Sequence, residues 1–276
     1  MNQSMINSSV TMGQIQHKLD TIGNNLANAN TTGFKRREAS FSDLLFQQVN
    51  NQRVGPYEAG RESPEGIRRG SGAVISQTAL RFEQGDMQMT ERDLDVALTA
   101  PGYFFEVSPT ENGERRFTRS GSFYLSPVPG VEGQNNLVNQ QGEFVLGADG
   151  NPVVLPANPF QLRINESGVI STVDIDGNEE EVATLQLVNI TRPQLLTSLG
   201  ENYYTFPNLD DLNLAMEDVM EEGVDAQVVQ QGALEMANVD TARQMADMLS
   251  AQRFYQFNSS AIQMTDQMMG MITNLR

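Results

Sequence analysis

Apolar residues repeat with heptad-like spacing at both ends of the chain, and this pattern constrains the fold most strongly. Residues 239–275 contain no proline and a single glycine, Gly270, so they can form one long helix. At ~1.5 Å per residue it would be about 55 Å long, too long for the interior of a compact domain. Its residues alternate in steps of four and three, which is typical of a coiled-coil seam. The seam comprises Phe254, Asn258, Ala261, Thr265, Met268, Ile272 and Leu275, flanked by Met248, Tyr255, Ile262 and Met269.

The N-terminal segment shows the same alternation. Its seam residues are Met5, Ser8, Met12, Ile15, Leu19, Ile22, Leu26 and Ala29. Two such seams predict that the terminal helices pair as a coiled-coil stalk. Two amphipathic helices packed on a globular core would give the same pattern. Charge favours the stalk, because positive and negative residues balance in both terminal segments and the formal charge of −17 lies in residues 34–237.

Asparagine and glycine predict where the first helix ends. Residues 28–33 read Asn-Ala-Asn-Thr-Thr-Gly, and both residue types tolerate the left-handed conformation that closes a helix. We expect three asparagines to close this end and bond neighbouring backbone, although simple capping explains them equally well: Asn24, Asn25 and Asn28. The basic run Lys35-Arg36-Arg37 follows, where positive charge complements the helix dipole or lies in a solvated turn.

Short apolar segments separated by turns fill the middle of the chain. A short helix is predicted over residues 41–50 from capping-box spacing. Strands are predicted over residues 74–82, 94–98, 103–107, 116–125, 143–146, 153–155, 169–174 and 182–190. The hairpin signals Asn112-Gly113, Asp149-Gly150 and Asp176-Gly177 lie among them.

The fold class that follows is α+β, mainly β. An antiparallel β domain (residues 73–207) is inserted between terminal helices that form one assembly domain (residues 1–33 and 232–276). Residues 34–72 and 208–231 connect the two. The first connector is rich in glycine and proline over residues 53–72, and the second is acidic over residues 208–225.

Composition and motifs argue against several function classes. Cysteine is absent, and the single histidine, His17, lies off the seam. We therefore expect no metal, no cofactor and no catalytic residue. Carboxylate pairs such as Glu91 and Asp93 carry little information in so acidic a chain. The acidic balance disfavours nucleic acid, and no apolar run predicts membrane insertion or a cleaved signal peptide.

Motifs at both ends resemble those of the bacterial flagellar axial proteins, which form the rod and hook of the basal body. The N-terminal motif is residues 20–35, DTIGNNLANANTTGFK. The C-terminal motif is GALEMANVD at residues 232–240, followed by QRFYQ at residues 252–256. The middle is also similar, in FEQG (residues 82–85), LDVAL (94–98), FTRSGSF (117–123) and LGENYY (199–204).

This resemblance implies helical stacking into a hollow, torque-transmitting tube, with self and other rod and hook proteins as partners. It also implies passage through the flagellar export machinery to the basal body, outside the cytoplasm, without a cleaved signal peptide. Chain length favours a rod protein of the proximal or distal type over the longer hook protein, and residues 53–72 favour the distal type. We assign subunit assembly to Met5, Met12, Ile15, Leu19, Ile22, Asn24, Asn25, Leu26, Asn28, Gly33, Phe34, Asn238, Phe254, Tyr255, Ile262, Met268, Met269, Ile272 and Leu275.

Two other classes of protein remain as alternatives. A secreted adhesin or phage-tail-like binding module would carry a β head on a coiled-coil stalk and form a small oligomer of fixed size. A carbohydrate-active enzyme would need two carboxyl groups at catalytic spacing in a deep cleft of the β domain.

Overall fold

The computed structural model describes residues 2–43, 47–49, 67–69, 73–110, 113–131, 133–156, 161–173, 179–222 and 227–274. Helix α1 spans Asn2–Ala27 and helix α3 spans Thr241–Asn274, so a long helix lies near each end of the chain as predicted. Helix α2, a single turn, spans Met216–Val219, and 3₁₀ helices cover Pro193–Leu195 and Leu209–Leu212. No helix in the described part of the chain is both long and apolar enough to cross a membrane.

In the described part of the chain, twenty strands lie between the terminal helices. They are β1 (Arg37–Asp43), β2 (Gln47–Val49), β3 (Ile67–Arg69), β4 (Ala73–Leu80), β5 (Met87–Met89), β6 (Val96–Leu98), β7 (Tyr103–Val107), β8 (Arg116–Thr118), β9 (Tyr124–Pro127), β10 (Gln134–Val138), β11 (Val154–Pro156), β12 (Gln161–Ile164), β13 (Val169–Val173), β14 (Glu179–Thr184), β15 (Leu187–Ile190), β16 (Thr197–Gly200), β17 (Tyr203–Thr205), β18 (Met220–Glu222), β19 (Val229–Gln231) and β20 (Ala233–Glu235).

The chain forms two compact units. Unit 1 consists of Met1–Leu26, Arg37–Ala79 and Thr241–Arg276, and unit 2 of Ala27–Arg36 and Leu80–Asp240. Unit 2 is built on a six-stranded antiparallel sheet with the order β16-β17-β8-β7-β15-β18. Two three-stranded sheets, β11-β10-β9 and β12-β13-β14, accompany it. The strands that lead back to α3 pair with earlier ones, β19 with β6 and β20 with β5.

Both faces of the six-stranded sheet are covered by apolar side chains. Successive side chains of a strand point to opposite faces, and on β7 the adjacent Phe104 and Phe105 are both fully buried. Phe104 packs edge-to-face against Phe82 at 5.8 Å, between ring centroids, and Phe105 against Phe123 at 5.2 Å. The sheet therefore separates two hydrophobic clusters.

The predicted strands are largely present, with changes at their ends. β7 has the predicted bounds, whereas the segments 116–125 and 182–190 each divide into two strands. Residues 143–146 form isolated bridges only, such as Phe144 with Val138. Sequence reasoning missed β5, β10, β12 and β16–β20, all of which are only three to five residues long.

The predicted helix over residues 41–50 is wrong at its described positions. β1 runs through Asp43, and β2 pairs with β3 in an antiparallel register. Pairing with strands distant in sequence outweighs a local capping signal, which contributes little by itself. β3 lies in the extended connection predicted over residues 53–72, and the rest of that connection lies outside the described residues.

In unit 1, α1 buries its predicted seam more completely than α3 does. Ile15 and Ile22 are buried, and Met5, Met12, Leu19 and Leu26 are half-buried. On α3 the inward stripe also alternates in steps of four and three, but it is displaced from the predicted seam. Its residues, all buried or half-buried, are Gln244, Met248, Ala251, Tyr255, Asn258, Ile262, Thr265 and Met269.

Three residues predicted on the α3 seam are exposed. Phe254 is 63% exposed, Met268 44% and Ile272 54%, whereas Leu275 lies outside the described residues. The inward stripe combines the flanking apolar residues with small and polar ones such as Ala251 and Thr265. Small side chains permit close approach of a helix to its neighbours, so the most apolar face of α3 is not the buried one.

Candidate subunit-assembly site

The segment after α1 is held beside the segment that precedes α3 within unit 2. The backbone amide of Gly33 donates to the carbonyl of Glu235 at 2.8 Å. Gly33 has a φ of +70°, and a Cβ there would lie 2.5 Å from the backbone nitrogen of Ser120. A left-handed, tightly packed position favours glycine. Gly33 and the following Phe34 are both buried.

Asn25 clamps the backbone of Arg37 within unit 1. Its Oδ1 accepts from the Arg37 amide at 2.9 Å, and its Nδ2 donates to the Arg37 carbonyl at 2.8 Å. Nδ2 also lies 3.4 Å from Oε1 of Gln244, which links α1 with α3. Asn25 is 1% exposed, and buried polar groups need hydrogen-bond partners. Its amide bonds both backbone groups of Arg37, as a neighbouring strand would.

Asn238 makes an equivalent clamp within unit 2. Its Oδ1 accepts from the amide of Arg36 at 2.8 Å. Its Nδ2 donates to the carbonyls of Arg81 at 2.7 Å and Glu83 at 3.0 Å. Arg36 and Arg37, adjacent in the chain, are thus each fixed by an asparagine from a terminal motif.

A sealed ion cluster, formed by Lys35, Arg119 and Glu235, lies in the same part of unit 2. The Glu235 carboxylate contacts Nζ of Lys35 at 2.6 Å and Nε of Arg119 at 2.8 Å. It also accepts from the backbone amide of Gly85 at 2.9 Å. The three side chains have an exposed fraction of 0%. Lys35 donates to the Glu83 carbonyl at 2.7 Å as well.

Burial perturbs both cations of this cluster. Removal from water, together with the positive charge of Arg119, lowers the pKa of the Lys35 amine from 10.5 to about 8. Burial also lowers the pKa of Arg119, against the opposing effect of Glu235. A lysine with a lowered pKa in an open cleft would be a candidate nucleophile. Here the amine is fully buried and no substrate can reach it. The cluster instead joins three segments that are distant in sequence.

Several carboxylates of unit 2 have arginine partners. Asp95 pairs with Arg92 at 3.0 Å, and Glu106 pairs with Arg115 at 2.6 Å. A hydrogen bond from Arg116 lowers the pKa of Glu143 below its ordinary value. The general acid of a glycosidase needs a raised pKa, so Glu143 does not match that role. Among the described residues, no group of three or more potential metal ligands is present.

An apolar stripe on the outer face of α3 is left uncovered. We call it the outer stripe, and its residues recur in steps of three and four: Phe254, Phe257, Ala261, Met264, Met268 and Met271. Phe254 is 63% exposed, Phe257 70%, Met264 56%, Met268 44% and Met271 60%. An exposed run of large apolar side chains at this spacing is suited to contact with another helix.

The residues assigned to assembly lie at three kinds of position in the structure. Those on the inner faces of the helices are Met5, Met12, Ile15, Leu19, Ile22, Leu26, Tyr255, Ile262 and Met269. Those at the helix ends are Asn24, which is exposed, Asn25, Asn28, Gly33, Phe34 and Asn238. Those on exposed positions of α3 are Phe254, Met268 and Ile272.

Sequence reasoning missed the ion cluster. Lys35 was expected to complement the helix dipole or lie in a solvated turn, and it is instead buried against Glu235. The physical reason is that Glu235 offsets its charge, although the two residues are 200 positions apart. A charged residue between apolar ones, as in Leu234-Glu235-Met236, was the available signal, whereas Lys35 begins a basic run and gave none.

The helix α3 exposes an apolar stripe, and it is joined in sequence to a β unit that a buried ion cluster stabilises. These features are typical of a structural protein with surfaces suited to subunit contacts. Three family models match the chain. They are described as flagella basal body rod protein (residues 7–35), flagellar hook protein FlgE/F/G D1 domain (residues 99–172) and flagellar basal body rod FlgEFG protein C-terminal (residues 230–275).

Curated relatives are similar along nearly the whole chain. The flagellar hook-basal body complex protein FlhP of Bacillus subtilis is 38% identical, with 100% of both chains covered. The flagellar basal-body rod protein FlgG of Borreliella burgdorferi is 35% identical over 95% of this chain and 94% of its own. FlgG of Bacillus subtilis is 30% identical, again with 100% of both chains covered. The chain belongs to the family of flagellar basal-body rod and hook proteins.

Proposed function

We propose that this chain is a structural, non-catalytic component of the flagellar basal-body rod, which polymerises through its terminal helices into a hollow torque-transmitting shaft. The outer stripe of α3 carries this proposal. It exposes large apolar side chains along four to five turns of helix, and their burial between copies would be favourable by about 25 cal/mol per Å². Relatives named as rod proteins support it.

The proposed division of labour follows the chain. The terminal segments, residues 1–33 and 232–276, form the assembly domain, in which α1 and α3 pair as a coiled coil. The inner stripes of both helices and the hydrogen bond from Asn25 to Gln244 support this pairing. Residues 34–72 and 208–231 connect it to the β-rich outer domain, residues 73–207.

Partners and location are part of the same proposal. The chain contacts copies of itself and other rod and hook proteins, and it reaches the extracytoplasmic part of the basal body through the flagellar export machinery, without a cleaved signal peptide. Of the rod types we propose the distal one, which residues 53–72 favour.

The test is a charge placed in the outer stripe. Phe257→Asp changes a side chain that is 70% exposed, so the fold of the monomer should survive. In an assembled shaft the same carboxylate would be buried without a partner, which is strongly unfavourable. Met89→Asp, at a position 66% exposed on β5, is the matched control.

Sedimentation velocity over a range of concentrations gives the result. We expect the wild type and Met89→Asp to grow into large species and Phe257→Asp to remain monomeric, with helix content unchanged by circular dichroism. Equal growth of Phe257→Asp would contradict assembly through this stripe. A wild-type oligomer of small fixed size would contradict open-ended polymerisation and favour the adhesin alternative.

A further inference from the structure

Methionine supplies half of the outer stripe. Met264, Met268 and Met271 follow one another in steps of four and three on the same face of α3. Their exposed fractions are 56%, 44% and 60%. Met89 on β5 and Met245 on α3 are also exposed, at 66% and 54%, but they lie outside the stripe, whereas Met220 is 3% exposed and Met248 and Met269 are half-buried. Three adjacent thioethers are therefore open to reagents in solution.

A thioether is the most easily oxidised group in a chain without cysteine. The sulfur attacks one oxygen of a peroxide, the O–O bond breaks, and the other oxygen leaves as water after taking up a proton. The sulfur is oxidised to the sulfoxide and the peroxide is reduced. The product is a polar, chiral group in place of a flexible apolar one.

We propose that Met264, Met268 and Met271 form a reversible oxidation site, at which peroxides block the addition of free subunits to the growing polymer. This inference rests on the proposed function, because the same stripe must be buried between copies. In a free subunit a sulfoxide on α3 is solvated and leaves the monomer folded. In a contact between copies it would have to lose its water, so an oxidised subunit does not add.

The burial of the stripe in the polymer makes the oxidation selective for free subunits. Subunits already in the polymer have these sulfurs covered by a neighbour, and they resist the reagent that disables free subunits. Peroxide thus stops the growth of the polymer but does not dissociate the polymer that is already present. Methionine sulfoxide reductases, which reduce each sulfoxide epimer, reverse the block.

Matched variants with three substitutions each test this. The first carries Met264→Leu, Met268→Leu and Met271→Leu, which keep the stripe apolar and helical. The control carries Met87→Leu, Met89→Leu and Met216→Leu, at positions 37%, 66% and 37% exposed away from α3. Full-length monomers are treated with hydrogen peroxide, the reagent is removed, and polymer growth is followed by sedimentation and peptide mass mapping.

Each treated chain is compared with its own untreated critical concentration, because the α3 substitutions lie in the proposed contact surface. After treatment, the critical concentration of the wild type and of the control variant should rise at least tenfold, and that of the α3 variant should stay within twofold of its untreated value. Mapping should find sulfoxide at Met264, Met268 and Met271 before Met220, and at least tenfold more slowly in preformed polymer than in monomer.

Each other outcome overturns the inference. Normal growth of a wild type that carries all three sulfoxides would do so, as would equal loss of growth in the α3 variant. Equal oxidation rates in monomer and polymer would show that the stripe is not covered. Failure of untreated wild type to grow is recognised before any oxidation, and it refutes the proposed function together with the inference built on it.

Discussion

Glu235→Gln tests the ion cluster most directly, because it removes one charge and changes almost no volume. In the wild type the carboxylate contacts two cations whose side chains are 0% exposed. In the variant the amide can accept from one cation, while its NH₂ group faces the other. Removing one partner of a buried ion pair costs about 3–5 kcal/mol, because the remaining charge stays buried. We expect the free energy of unfolding to fall by that amount.

The control is Glu222→Gln, which removes a carboxylate that is 50% exposed and pairs with Arg115. Exposed pairs contribute about 0–1 kcal/mol, so this change should have little effect. Urea unfolding at neutral pH, followed by near-ultraviolet circular dichroism of the tyrosines of unit 2, measures both variants. If Glu235→Gln lowers the free energy of unfolding no more than Glu222→Gln does, the ion cluster does not stabilise the fold.

Two further predictions concern the same unit. The pKa of Lys35 is lowered in the folded chain from 10.5 to about 8, so the folded state releases this proton while the unfolded state still holds it. The contribution of Lys35 to stability should therefore rise as the pH increases from about 8 to 10.5. Over that range, urea unfolding should show the free energy of unfolding of the wild type increasing relative to that of Lys35→Met. Gly121→Ala would place a Cβ 1.7 Å from the carbonyl oxygen of Val96. Overpacking of this kind costs about 1–3 kcal/mol or more. Its midpoint in urea should fall well below that of Gly130→Ala, which has a positive φ and no atom within 4 Å of its Cβ; equal midpoints would contradict the packing argument.

The terminal helices could be predicted from sequence because their signal is local and long. Heptad spacing over more than 20 residues, with no proline, leaves few other structures. The face that α3 turns inward could not be predicted, because hydrophobicity alone ranks Phe254 above Ala251 and Thr265. The structure buries the two smaller residues and exposes the phenylalanine. Shape and close approach decide this choice, and one sequence does not encode them in its pattern.

The β unit shows the same division between local and distant information. β7 was predicted with its bounds because its run of aromatic and apolar residues is interrupted only by Glu106 and is bordered by turn residues. The region 41–50 was predicted as a helix because the partners of its strands are distant in sequence. The ion cluster was missed for the same reason, since Lys35, Arg119 and Glu235 become neighbours only after the chain has folded.

The separation of the three charges along the chain sets an order of events during synthesis. Lys35 is made 200 residues before Glu235, and Arg119 is made 116 residues before it. The strands of the six-stranded sheet up to β17 are all made earlier and can begin to pair. The two cations, however, must remain hydrated until Glu235 arrives, since burying them without it is unfavourable. A chain that has not yet reached Glu235 cannot close this part of the molecule, so the buried charges make this part of the fold form only after β20 has been made.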